Sequence, residues 1–350
     1  MKKKNISYRK KGKQNHTRLF YLIMVAFILS TAGGCSKDFL DAKPDKKLAL
    51  PSTLTDLQAL MDNSAYMNGG WPSAGEIAAD NYAVTSEAWH SFSYDITSQN
   101  LYIWEDNVFN DHVQNEWFLA YQAMFYANTV LENIDAVQAA DEAQKNNIKG
   151  EALFFRAQAF YELAQIFAGV YHKETASTDL GIPLRVTSDI NQPSTRSSVE
   201  QTYQQIIADL QQAATLLVFN PLYKTRPSRP AAYGMIARTF LSMQEYTNAK
   251  LYADSCLQLY HTLIDYNTVD TNAYNPVPMF NDEVIFHSGM FPRSIVLQPA
   301  AIVDSALYAS YANDDLRKAV FFKPLDATAY GFYGSYSGIL RNGQNSEFLN

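Results

Sequence analysis

"GEALFFRAQAFYELAQIFAGVY", residues 150 to 171, is the stretch on which the fold turns. Starting at Ile148, apolar side chains recur at Ala152, Phe155, Ala159, Leu163 and Ile166, the three- and four-residue spacing of one helix face. Gly169 and the polar run "YHKETASTDLGIP" (171–183) are predicted to end this helix. Glu151 and Arg156 lie five positions apart and do not stack on one face, so Arg156 is expected to reach a neighbouring helix or loop.

Working outward, the same periodicity appears on both sides. Val113, Trp117, Ala120, Tyr121, Met124, Leu131 and Ile134 mark a long helix before it, with Trp117 expected in the core and Asn128 as a buried hydrogen-bonding residue. After it, Ser197 and Glu200 are spaced as a capping box for a helix carrying Val199, Tyr203, Ile206, Leu210, Ala213 and Leu217. A fourth helix is predicted to begin at Pro230. Its Tyr233, Ile236, Ala237 and Phe240, followed by Ala249 and Ala253 in a fifth, match the tetratricopeptide spacing, in which small residues let antiparallel helices approach.

The ends of the chain read differently. "STLTDLQALMDN" (52–63) predicts a short helix with Thr53 and Asp56 as a capping box and Leu54, Leu57, Leu60 and Met61 as its stripe. From Tyr66 to Asp111 the helical period is poor while Gly, Ser, Asn and aromatics are dense, which predicts a long irregular segment; such loops often carry function. Past Tyr266, "NDEVIF" (281–286) reads as a short strand and "AIVDSALYASY" (301–311) as a helix. The expected fold class is therefore mainly all-α, a tetratricopeptide-like helical-repeat scaffold with long aromatic-rich loops.

Residues 1–34 have the form of a secretory leader: eight Lys or Arg and no acid, then an unbroken apolar run from Leu19 to Leu29, then small residues. Eleven apolar residues are too few to cross a bilayer core, which takes about 20 in a helix. "AGGC" (32–35) resembles a bacterial lipobox, with Ala32 in the position that usually holds Leu. That resemblance implies a lipid-bearing Cys35 as the mature first residue, with 35–51 as a tether. Two or more acyl chains anchor stably where one binds only marginally. Without the leader, 20 basic residues face 35 acidic ones, a net charge of −15, which argues against nucleic acid as a partner. Cys256 is then the sole remaining cysteine, and a buried structural thiol is expected there.

Catalytic signatures are missing. The histidines, at 16, 90, 112, 172, 261 and 287, form no HExxH pair, and no phosphate-binding glycine loop precedes a helix. The expectation is a protein without catalytic residues, metal or cofactor. Binding chemistry is better represented. A sugar ring lays its apolar face on an aromatic ring while polar side chains meet its hydroxyls. "DNYAVTSEAWHSFSYD" (80–95) offers Asp80, Asn81, Tyr82, Trp89 and Tyr94 as candidate ligand contacts, ahead of Trp71 and Trp104. The competing reading is that Tyr82 and Trp89 pin a long loop to the helices.

Taken in order, the segments resemble the SusD/RagB family of nutrient-binding lipoproteins. "CSKDFLDAKPDKK", "PSTLTDLQALMDN", Trp117, Tyr121 and Asn128, and above all Gly150, Glu151, Arg156 and Ala157 carry the likeness. "GIPLRV", "RSSVEQTYQQIIADLQQAATLL" and "RPAAYGMIARTFLSMQEYTNAKLYADSCL" continue it. The resemblance implies residues 52–265 as a helical domain with a loop-rich insertion at about 66–111, and 266–350 as an incomplete remainder, since family members run further. It implies a lipid-anchored, surface-exposed outer-membrane protein that binds a glycan or peptide and hands it to a SusC-like TonB-dependent transporter. The alternative is a helical-repeat scaffold that recognises another protein, or a peptide-capturing lipoprotein.

Overall fold

The computed structural model describes residues 51–109, 115–138, 141–297 and 299–336. The leader, Cys35, most of the tether and Val113 lie outside the described residues.

The Thr53–Asp56 box opens α1 (Leu54–Met61): Asp56 N–H donates to Thr53 Oγ1 at 3.1 Å and Thr53 N–H to Asp56 Oδ2 at 3.1 Å. Leu57 and Met61 turn into the main core. The stretch expected to be irregular proves to be built of short elements, α2 (Ser64–Met67), α3 (Ala74–Ile77), β1 (Tyr82–Ala83), α4 (Ser86–Ser91) and α5 (Ile96–Tyr102). These helices are four to seven residues long, too short for a periodic stripe to be read. Two of them start at local caps, Thr85 Oγ1 accepting from Ala88 N–H and Asp95 Oδ1 from Ser98 N–H. Met67 of α2 turns into the main core, while a smaller core, Ala74, Ile77, Phe92, Leu101 and Ile295, holds α3, α4 and α5, with Ile166 and Trp89 packed against it.

Five longer helices follow: α6 (Glu116–Asn133), α7 (Glu142–Phe167), α8 (Val199–Leu216), α9 (Arg229–Ser242) and α10 (Tyr246–Leu259). From α7 on, each packs on the one before it, and α6 packs on α1 and α2. α7 is the centre of the array, with Phe154, Phe155 and Phe160 all fully buried. Gly150 lies at a tight crossing with the end of α8, where a Cβ would stand 3.0 Å from Leu217 Cγ and 3.1 Å from Leu216 Cβ. In the α9–α10 pair the small residues allow close approach, and the Phe240 and Tyr252 rings stack at 5.7 Å.

Between α7 and α8, β2 (Leu180–Pro183) pairs antiparallel with β3 (Arg196–Ser198). The chain finishes its described part with β4 (Ile302–Val303), α11 (Ser305–Ser310), α12 (Leu316–Phe321) and the hairpin of β5 (Phe322–Pro324) and β6 (Tyr330–Phe332). β4 pairs antiparallel with β1, Tyr82 opposite Val303.

Several expectations need correction. The second capping box is Ser198–Gln201, one residue later than predicted, because the Ser197 hydroxyl is engaged elsewhere, donating to the Ile182 carbonyl at 2.7 Å. α9 begins at Arg229 behind the Ser228 cap, which leaves Pro230 in the first turn, where no N–H is required. "NDEVIF" forms no strand. Its Ile285 and Phe286 pack on the main core instead, and Phe286 meets Phe154 edge-on at 5.0 Å. Of "AIVDSALYASY", Ile302 and Val303 are strand, and the helix starts only after the Asp304 cap. Trp117 is half-buried at the core margin, because its face of α6 looks onto a cleft.

Candidate functional site

The region holding the candidate residues is tied down from two sides. Glu116, buried in the first turn of α6, accepts from Ser73 N–H, Ser73 Oγ and Ala74 N–H, each at 3.0 Å, and so fixes the start of α3. Asp95, the cap of α5, is paired with Arg293 at 3.1 Å. Tyr82 donates to the Ile77 carbonyl at 2.7 Å, and its ring lies 5.7 Å from that of Tyr102. Burial, with smaller pushes from Tyr102 and Glu76, raises the Tyr82 hydroxyl above the usual phenol range and keeps it a donor. Trp89 and Gln99 exchange bonds, indole Nε1 to the Gln99 carbonyl at 3.2 Å and Gln99 Nε2 to the Trp89 carbonyl at 2.6 Å.

Asp80 and Asn81 sit beside half-buried Tyr82, Asp80 exposed, and the Asn81 carbonyl accepts from Asp304 N–H at 2.9 Å. Trp89 is half-buried against the small core. Tyr94 is 73% exposed but precedes α5, and that seven-residue helix, roughly 10 Å long, separates it from the residue that follows the other end.

That residue is Trp104. The α5 C-terminus closes with Trp104 N–H to the Leu101 carbonyl at 3.2 Å and Glu105 N–H to the Asn100 carbonyl at 2.9 Å, the two bonds of a Schellman motif. Its left-handed position, normally glycine, is taken by Trp104 at φ +56°. The left-handed conformation costs an L-residue about 1–2 kcal/mol. The indole is not buried in return: Trp104 is 75% exposed, held by Nε1 donating to the Ala78 carbonyl at 3.1 Å. Strain of this kind persists where the surroundings impose it, and it concentrates at ligand sites. The Trp104 indole and the Tyr82 hydroxyl are held by the adjacent carbonyls of Ala78 and Ile77, two and three residues before Asp80. In the sequence Trp104 ranks lower because nothing there signals a tryptophan in a glycine position. Trp71 is buried, its backbone bonded to Gly289 and Phe291.

Elsewhere, an open concavity of about 470 Å³ is lined by Gln201, Gln204 and Gln205. Two of these amides are engaged, Gln201 in the α8 cap and Gln205 with Asp209. Among the described residues no group of three His, Cys, Asp or Glu is placed to hold a metal ion, and no helix is long and apolar enough to cross a membrane. Cys256 is buried, which pushes its thiol up.

The fold is a helical array of packed antiparallel pairs, with the Trp104 indole fixed and exposed at one edge. A family model described as starch-binding, associating with the outer membrane, matches residues 38–241, and the chain belongs to this SusD-like family. It is 27% identical over 140 residues to SusD-like protein P2 of Formosa agariphila, across 40% of this chain and 26% of that relative. Among solved structures, it superposes on a putative sugar binding protein of Bacteroides vulgatus with a TM-score of 0.66 at 19% identity, over 83% of this chain and 70% of the other. A SusD superfamily protein of Bacteroides thetaiotaomicron gives 0.64 at 19% identity, over 82% and 71%.

Proposed function

We propose that this protein captures a glycan at the outer-membrane surface and passes it to a SusC-like TonB-dependent transporter, without breaking a bond in it. Trp104 carries the reading: a strained, fixed and exposed indole is suited to lie flat on a sugar ring. Asp80 and Asn81 are the groups to meet the ring hydroxyls, Tyr82 and Trp89 brace the edge, and Tyr94 is available to a longer chain. Anchorage through a lipid on Cys35 is part of the same reading, supported by the leader that precedes it.

A glycan array probed with the mature protein, and its isolation from native outer membrane in mild detergent, test both halves. Binding to at least one oligosaccharide and recovery with a barrel are expected; binding to none and recovery alone refute the proposal.

A protein scaffold is the second reading, favoured by Tyr246, Leu251 and Leu257, all exposed on α10. Recovery of the protein with a soluble partner favours it, where that association fails once these residues are changed and persists in Trp104→Ala.

A further inference from the structure

α6 has two apolar faces. Ala120, Ala123, Ala127 and Val130 are buried in the helix array. Trp117, Tyr121 and Phe125, four residues apart, form an aromatic stripe beside it, with Trp117 and Tyr121 packed against the core margin. This stripe is one wall of a cleft of about 360 Å³, within the size range of small-ligand sites. The loop after β2 forms the other wall, contributing Arg185, Thr187, Ser188, Ile190 and Ser194.

Both walls are held by the protein itself. The Trp117 ring lies 4.8 Å from Tyr121 and meets Phe167 edge-on at 5.0 Å, while Tyr121 donates to the Pro183 carbonyl at 2.8 Å. Across the cleft, Arg185 gathers its loop by donating to the Gln192 carbonyl at 2.9 Å, to Ser194 Oγ at 2.8 Å and to the Asp189 carbonyl. Glu132 accepts from Ser188 N–H at 2.8 Å and from its hydroxyl. Asn128 Nδ2 donates to the Arg185 and Thr187 carbonyls at 2.9 and 3.2 Å. A cleft kept open this way loses little freedom when a ligand enters.

The polar wall has capacity to spare. Ser194 Oγ accepts from Arg185, which leaves its O–H to donate, and Ser188 donates to Glu132, which leaves its oxygen to accept. Phe125 is 42% exposed and Ile190 78% exposed, so the rim is apolar at both edges.

We infer that this cleft is a second saccharide subsite, taking one pyranose ring with its apolar face on Trp117 and Tyr121 and its hydroxyls toward Ser188 and Ser194. The saccharide class rests on the function proposed above; the location does not.

The test follows the indole N–H resonances of the ¹⁵N-tryptophan-labelled chain, assigned by Trp→Phe substitution, during titration with a panel of methyl glycosides. The Trp117 resonance is expected to shift saturably with at least one glycoside. Ser194→Phe, which fills the cleft, and Phe125→Ala, at an exposed position, are expected to abolish or weaken that shift and leave any Trp104 response unchanged. A Trp117 resonance that moves with no glycoside, or equally in Ser194→Phe, overturns the inference. So does movement only with an aromatic amino-acid amide. Response of Trp104 alone leaves the proposed capture edge standing and removes this subsite; response of Trp117 alone does the reverse.

Discussion

Arg156 of α7 and Asp209 of α8 form a two-point ion pair, Nε to Oδ2 at 2.8 Å and Nη2 to Oδ1 at 2.7 Å, with both side chains nearly buried. Arg156 Nη1 also donates to Asn128 Oδ1 at 3.2 Å, so one guanidinium ties together α6, α7 and α8. Arg156→Ala leaves the Asp209 charge buried without its partner and is expected to cost about 3–5 kcal/mol. Urea unfolding measures this. The joint replacement Arg156→Met with Asp209→Leu is expected to recover much of the loss.

Glu151 predicts a pH dependence. It is fully buried, accepting from Gln58 Nε2 at 2.7 Å and Asn147 Nδ2 at 2.8 Å. Removal from water outweighs the Gln58 bond and the pull of Arg226, and raises its carboxyl from 4.5 to about 7. Between those values the folded protein binds a proton that the unfolded chain does not. This contribution to stability is complete below pH 4.5 and is lost as pH rises to about 7, a change of roughly 3 kcal/mol. Glu151→Gln is expected to flatten that part of the stability profile; an unchanged slope would show that Glu151 is ionised throughout.

The turn between α9 and α10 repeats the geometry seen at Trp104. Gln244 sits at φ +61°, with its N–H bonded to the Leu241 carbonyl at 3.0 Å and Glu245 N–H to the Phe240 carbonyl at 2.9 Å. Gln244→Gly is expected to stabilise the protein by up to about 1 kcal/mol, the relief of strain less the entropy cost of glycine. Thermal unfolding checks this, with a lowered Tm as the adverse result.

Gly181 of β2 packs directly on the start of α8. A Cβ there would collide with Thr202 Oγ1 and the Ser198 carbonyl. Gly181→Ala is expected to cost about 1–3 kcal/mol. It should also raise amide exchange across β2 and β3, since the strand must lift from the helix; unchanged exchange would mean that the helix yields instead.

Helices α1, α6 and α8 were legible because they bury side chains at the helical period, with caps written in Thr53, Asp56 and the serines before α8; α7 is buried at every position from Gly150 to Tyr161, so its length rather than a stripe marks it. The segment from 66 to 111 was not, since its helices draw order from distant residues such as Glu116, Arg293 and Ile295. Asp80, Asn81 and Tyr82 are candidates that composition alone can nominate. What marks Trp104 is a backbone angle, which the sequence does not carry, and the two walls of the cleft stand more than fifty residues apart.

Trp104→Gly tests the central claim most directly, because it removes the indole and supplies the residue that the backbone favours. Calorimetric titration with an oligosaccharide identified by the array, alongside thermal unfolding, is the measurement. The expected result is affinity lower by about tenfold or more, with Tm at or above that of the parent chain. Unchanged affinity with a lowered Tm would contradict it, and would make Trp104 a structural residue.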